Sequence, residues 1–504
     1  MAGTAVLIAR DPPHCGRMSW RIALLFFALG VLTRIPFQTD FLWAHDSVLY
    51  ARAIERFDPL DHRPQAPGYL YYVLLIRAID AVVGDPNRAM TIVSLLAGAA
   101  AVALLYLFAA RLYDERTARA SGAFLLTAVT FWAYGGVAYP YTLLAALSIG
   151  CAFLFWLAFR AGAGHGWRFA LATAAYGIAL GFRSDLAVFL APLWIVAALT
   201  APRLAAVGSA ALGAGLVVFW YVASAALNGG MAAFAEALRT QSEFVNEEYS
   251  VFGARGLTAV AANTYELARY LGRALYFLGP LLIAVPLSAS ARRIEASAPR
   301  RAAFVVLWTF TPLAMYVPIH VGEYGYVFSM LPGLCVLAAR GAIALARGSR
   351  MPRTLPWIVA TAALANAAIF LVSDSPLSAR DLARRDRGVA ERIERLNEPD
   401  LVGATILAAY DGMIVEHYFH EARLDPAHVV LHYDVARPRR ELVFSTRICD
   451  RAGNSCRERE PVLAVWDDLI RVRGSGWEEL RMRHGAKLRV ARNMNNVKMV
   501  IDGL

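Results

Sequence analysis

The sequence predicts a polytopic α-helical membrane protein of about eleven transmembrane helices, followed by a small α/β domain outside the membrane. Three observations predict it. Of 504 residues, 58% are hydrophobic and only 18% charged, more apolar than a soluble domain. From Trp20 to Ser373, apolar segments alternate with short polar loops, and arginine crowds every second loop. From about Asp374 the chain turns polar, with short apolar runs of strand-like spacing.

In chain order, Arg10, Arg17 and Arg21 precede an apolar run as in a signal peptide. No small-residue cleavage site follows it, so the run reads as an uncleaved signal anchor. Spans are expected near 20–37, 88–110, 118–136, 140–159, 167–182, 186–200, 204–226, 266–287, 302–319, 325–346 and 355–373. Pro67–Val83 is apolar but contains Arg77 and Asp80 and follows Pro64, so it reads as a helix lying against the membrane surface. With a short helix expected over Ser47–Phe57, it makes the first outer loop, 38–87, an ordered surface. The outer loop from Asn228 to Asn263 reads as a mobile cover over the outer face.

Sidedness follows from charge. Arg111, Arg116, Arg119, Arg160, Arg168, Arg203, Arg292, Arg293, Arg300, Arg301, Arg347, Arg350 and Arg353 flank alternate loops, while Asp40, Asp46, Glu55, Asp58, Asp61 and Asp85 occupy outer ones. The positive-inside rule then puts the N-terminus in the cytoplasm, and an odd number of spans puts the C-terminal domain outside. Residues 1–373 are the expected transmembrane domain, 374–396 an amphipathic linker helix and 397–504 the α/β domain. Within the last, strands are expected at Ala404–Ala409, His428–His432, Glu441–Thr446, Val462–Val465 and Lys487–Val490, with a helix near Met413–Ala422.

Composition also excludes. The net charge of +11 resides largely in arginines between apolar spans, which is membrane topology and not a nucleic-acid face. Lysine occurs only at Lys487 and Lys498, and this bias together with alanine richness points to a GC-rich bacterial genome, hence a bacterial inner membrane. There is no Walker loop, dinucleotide glycine fingerprint or zinc-spaced Cys/His set. No cofactor is expected; the acids of the first loop could hold a divalent ion, but their spacing specifies none. Cys151 and Cys335 read as packing residues within spans, whereas Cys449 and Cys456 would close a short loop in an exported domain.

Several short motifs occur in a telling order: His45-Asp46-Ser47 after the first span, then His62-Arg63-Pro64-Gln65-Ala66-Pro67-Gly68-Tyr69. Further on come Gly181-Phe182-Arg183-Ser184-Asp185 and Gly322-Glu323-Tyr324-Gly325-Tyr326 with Leu331-Pro332. Over residues 20–345 this resembles the GT-C class of membrane glycosyltransferases, in the branch of the protein O-mannosyltransferases and lipid A aminoarabinose transferases. The resemblance implies a GT-C-like fold and inverting transfer of a sugar from a polyprenyl phosphate donor to a hydroxyl acceptor at the outer face. Membrane lipids, that donor and an acceptor are the implied partners. The chain departs from the family where Ser47 replaces the second acid of a pair, and where Val137-Ala138-Tyr139-Pro140 offers no second acid after the third span. Sugar and acceptor therefore do not carry over.

Each candidate residue has a plainer alternative. Asp46 suits a general base for the acceptor hydroxyl, with His45 orienting it, but also suits a cap for the following helix. Arg63 and Arg183 suit the donor phosphate, because a guanidinium forks two oxygens and keeps its charge. His62 is a substitute for Arg63, and Asp185 would simply neutralise Arg183. Tyr139, Asp185, His320, Glu323 and Tyr326 lie at outer turns suited to substrate contact, where interfacial aromatics also serve as anchors. The rival functions are a transporter or lipid-linked sugar flippase and a non-catalytic assembly protein. Against a transporter stands the absence of an internal repeat in the sequence.

Overall fold

A computed structural model describes residues 19–161, 165–287, 299–348, 352–408, 412–421, 423–432, 447–449, 456–458, 462–466, 470–473, 476–492 and 498–501. The fold class expected from the sequence is the one found: helices throughout the first three-quarters and a small sheet at the C-terminus. The chain forms two compact units. One comprises Met1–Gln38 with Tyr50–Arg380, the other Thr39–Leu49 with Asp381–Leu504.

In the helical unit, Trp20–Phe37, Pro86–Leu112, Tyr141–Ala161, Arg203–Leu227, Leu257–Leu287 and Leu355–Val372 are long and apolar enough to cross a membrane. These are six of the eleven expected spans. The other five are helical but differ in kind. Glu115–Thr127 breaks at Ala128 and resumes as Val129–Tyr134, and Pro299–Phe310 breaks before Leu313–Tyr316. Gly166–Phe182 has 17 residues, Leu186–Ala198 has 13 with Pro192 inside, and Leu331–Gly348 carries Arg340 and Arg347. The expected mobile cover contains a helix, Met231–Tyr249, because an apolar residue recurs at helical spacing and no proline interrupts it.

Local chemistry sets the helix boundaries. Asp85 accepts from the backbone N–H of Arg88 at 2.9 Å, and Asp114 from that of Thr117 at 2.8 Å, so each acid satisfies an orphan donor at a helix start. Gly30 lets the first span approach Pro86–Leu112 closely, since a Cβ there would lie 2.8 Å from the Ala99 Cα. In the first loop, helices form at His45–Glu55 and Leu70–Val83. Arg77 does not mark a surface charge alone: its guanidinium donates to the carbonyls of Ile54 at 2.8 Å and Ala53 at 2.9 Å, near the end of the first of these helices.

The C-terminal unit holds a five-stranded sheet in the order Val429–His432, Thr405–Ala408, Leu463–Val465, Lys487–Ala491, Trp477–Arg481. The first three strands are parallel and the last two join antiparallel. Helix Gly412–His420 connects the first two in sequence, as parallel strands require. Trp477–Arg481 was not expected as a strand because its polar residues hide the alternation; it lies at the sheet edge, with Glu479 paired to Lys487 at 3.2 Å and to Arg481 at 3.0 Å. The strand expected at Glu441–Thr446 lies outside the described residues. Helix Ala379–Leu396 buries Leu382, Val389 and Leu396, the seven-residue repeat of an amphipathic face.

Candidate functional site

Four turns of the helical unit bring tyrosines around one arginine. Arg183 follows helix Gly166–Phe182, and its side chain is only 4% exposed. Its Nη2 lies 2.6 Å from Asp185 Oδ2 and its Nε donates to Oδ1 at 3.3 Å, a two-pronged ion pair. The guanidinium carbon lies 5.2 Å from the Tyr69 ring centre and 5.0 Å from that of Tyr141, within cation–π range. Burial opposes the charge on Arg183, but Asp185 and the Tyr69 and Tyr141 oxygens outweigh it and hold the group above its ordinary value.

The cluster extends outward from Tyr141. Tyr139 stacks on it at 4.9 Å and Tyr326 packs at 5.5 Å. Such an approach needs Gly325, where a Cβ would fall 2.1 Å from the Tyr141 Cγ. Tyr326 touches the His320 ring at 5.5 Å, and Tyr249 covers His320 at 4.4 Å. His320 Nδ1 is buried and has no hydrogen-bond partner among the described residues. Burial lowers this imidazole to about 4, so it is neutral near pH 7. Glu323 accepts from the Tyr134 hydroxyl at 3.2 Å, and Tyr134 packs on both Tyr139 and Tyr141.

The candidates thus fall into three groups. Arg183, Asp185, Tyr139, His320, Glu323 and Tyr326 are linked through Tyr141 and Tyr134. Arg63 has other partners in the helical unit, on a turn where Asp58 and Arg63 exchange backbone hydrogen bonds and Arg63 Nε lies 3.0 Å from Asp61 Oδ2. His62, on the same turn, is exposed with a left-handed backbone, φ 51°. His45 and Asp46 belong to the other unit, in the half-buried first turn of helix His45–Glu55. Because this helix starts at His45, Asp46 sits inside it and not at the expected capping position; a carboxylate there is favoured by the helix dipole.

Tyr134 and Tyr141 are residues that sequence reasoning passed over, and Tyr69 was read only as the end of a motif. Their only signal was tyrosine recurring near helix ends far apart in the chain, which reads equally as interfacial anchoring. Cys151 and Cys335 are free and buried. Cys449 and Cys456 are directly opposed in the register of an antiparallel strand pair, while their side chains lie outside the described residues. Among the described residues, no group of three or more His, Cys, Asp or Glu is arranged to hold a metal ion.

Residues 65–227 match the protein family described as dolichyl-phosphate-mannose-protein mannosyltransferase. This stretch, about a third of the chain, contains Tyr69, Tyr139, Tyr141, Arg183 and Asp185 and begins after Asp46 and Arg63. No curated protein matches the sequence. Among solved structures, the chain is similar to ArnT from Cupriavidus metallidurans in the apo state, at 14% identity over 80% of this chain and 72% of that one, with a TM-score of 0.47. It is similar to the same protein bound to undecaprenyl phosphate at 11% identity, over 98% of both chains, with a TM-score of 0.48. The oligosaccharyltransferase of Archaeoglobus fulgidus, in complex with zinc and sulfate, matches at 13% identity over 81% of this chain and 62% of that one, with a TM-score of 0.45. The resemblance read from the motifs is borne out by the family match, over a narrower stretch than the motifs suggested.

Proposed function

We propose that the protein is a GT-C-type glycosyltransferase of a bacterial inner membrane, moving a sugar from a polyprenyl phosphate donor to a hydroxyl acceptor at the outer face. The observation that carries this reading is the buried Arg183, held by Asp185 and faced by Tyr69 and Tyr141, within the stretch that matches a mannosyltransferase family. A buried guanidinium suits a lipid phosphate, and aromatic rings suit the apolar face of a sugar. In the proposed reaction the acceptor oxygen attacks the anomeric carbon as the bond to phosphate oxygen breaks, inverting that centre. Asp46 takes the hydroxyl proton, His45 orients Asp46, and the polyprenyl phosphate leaves with the bond's electron pair. Arg183 and Arg63 stabilise the charge gathering on that phosphate. His62, Tyr139, Asp185, His320, Glu323 and Tyr326 are assigned to substrate contact or to holding those groups.

The test uses purified full-length protein, polyprenyl phosphate carrying mannose, glucose or 4-amino-4-deoxyarabinose, and a cell-envelope extract as acceptor source. Release of free polyprenyl phosphate with one donor, lowered at least about 100-fold by Asp46→Asn, is the expected result. Unchanged release in Asp46→Asn would remove the base from the mechanism. The same reading has 1–373 as the membrane domain, 374–396 as linker and 397–504 as an exported domain, N-terminus inside. Cys449 and Cys456 then form a disulfide, adding about 2.5 kcal/mol by loop entropy. Mass analysis finding both thiols free in protein from native membranes would count against export.

A further inference from the structure

The residues just before helix His45–Glu55 have no regular structure, so their backbone groups need partners from elsewhere. Within the C-terminal unit, side chains from helices Ala379–Leu396 and Gly412–His420 supply them. The Asp386 carboxylate accepts from the N–H of Asp40 at 3.0 Å and of Phe41 at 3.0 Å. The Tyr418 hydroxyl oxygen accepts from the N–H of Leu42 at 2.7 Å. Arg385 donates to the Trp43 carbonyl and lies 4.7 Å over the Trp43 ring. The Phe41 ring meets Tyr418 edge-on at 5.4 Å, and Arg423 covers both rings, at 5.5 and 5.3 Å. Three consecutive amides and the next carbonyl are therefore held by side chains some 340 to 380 residues away in sequence. The Ala44 N–H then donates to Ser47 Oγ at 3.3 Å, which fixes the first turn of the helix that carries Asp46.

We propose that Asp386 and Tyr418 are positioning residues for Asp46, and that the C-terminal unit serves the reaction by clamping Asp40–Trp43. This rests on the reading of Asp46 as the base. A carboxylate bound to two N–H groups is a strong, directional clamp, and misplacing a reacting group by about 1 Å costs on the order of 100-fold in rate. Asn at 386 keeps the shape but leaves one oxygen for two donors; Phe at 418 removes the acceptor of the Leu42 N–H and keeps the ring.

The experiment compares full-length Asp386→Asn, Asp386→Glu, Tyr418→Phe and Asp46→Asn, using whichever of the three donors above turns over. Hydrogen exchange of residues 39–46 is read in parallel and requires no substrate. Expected are faster exchange across Asp40–Leu42, a fall in kcat of about tenfold or more, and KM for the donor within about threefold of wild type for Asp386→Asn. Tyr418→Phe is expected to show the same pattern more weakly, and Asp386→Glu to recover part of kcat. Unchanged exchange in both Asp386→Asn and Tyr418→Phe overturns the clamp. Faster exchange with unchanged kcat, while Asp46→Asn is inactive, overturns the positioning role alone. An active Asp46→Asn instead overturns the base, and with it the need to position one.

Discussion

Arg183–Asp185 and Arg63–Asp61 are the same chemistry in two settings. Each pairs an arginine with an aspartate two residues away in the helical unit. At the first pair the side chains are 4% and 11% exposed, and the guanidinium lies against two tyrosine rings. At the second they are 30% and 55% exposed, on a turn that also engages Arg56 with Asp58 and Asp61. In the buried pair each charge depends on the other; in the exposed one water replaces a lost partner. The difference teaches that the residue type alone did not rank the two candidate phosphate ligands. Burial and neighbours do.

The comparison breaks most sharply in stability. Asp185→Asn leaves a buried guanidinium without its counter-charge and should cost about 3–5 kcal/mol, whereas Asp61→Asn should cost under about 1 kcal/mol. Denaturant midpoints of the full-length protein in detergent measure both; equal shifts would show that the two settings are energetically alike.

A smaller effect is set by pH. His320 is lowered from 6.5 to about 4 by burial, so between those values the unfolded chain takes up a proton that the folded chain refuses. Stability should therefore be unaffected by this group above pH 6.5, fall as pH drops toward 4, and level off below it. The full loss is about 3 kcal/mol. The variant His320→Gln should lose this slope, and a wild type with no slope in that window would place the imidazole in contact with water.

Smallest is the response to lysine, which keeps the charge but not the fork. Arg183→Lys should slow transfer about tenfold, the loss of one charge-assisted hydrogen bond. Arg63→Lys should change it less than about threefold. Initial rates with the active donor test this, and a larger loss at residue 63 would reverse the ranking of the two arginines.

The helices were legible because apolar runs and loop arginines are local signals, whereas Asp85 and Asp114 showed themselves as caps only in the structure. The interruption at Ala128 was not legible, since nothing in Leu126-Thr127-Ala128-Val129 breaks a helix by itself. Arg183 was visible as a charge at the end of a span, but its ring partners were not. Tyr69 and Tyr141 come from separate turns, and only packing brings both to one guanidinium. The same holds for Asp386 and Tyr418, which read as one acid in a charged helix and one aromatic in an apolar one. Their partners are backbone amides, which no side-chain pattern can announce.

One feature of the C-terminal sheet bears on how the protein behaves at high concentration. Among the described residues Trp477–Arg481 is the last strand in the order, and a strand with a neighbour on one side offers the other as a template for further growth. Here that border carries Glu478, Glu479 and Arg481 within five residues. A further strand laid along it must bring its own side chains beside two carboxylates and strip their water. Replacing Glu478 and Glu479 by threonine would leave the sheet's own ladder intact while turning a guarded border into an adhesive one.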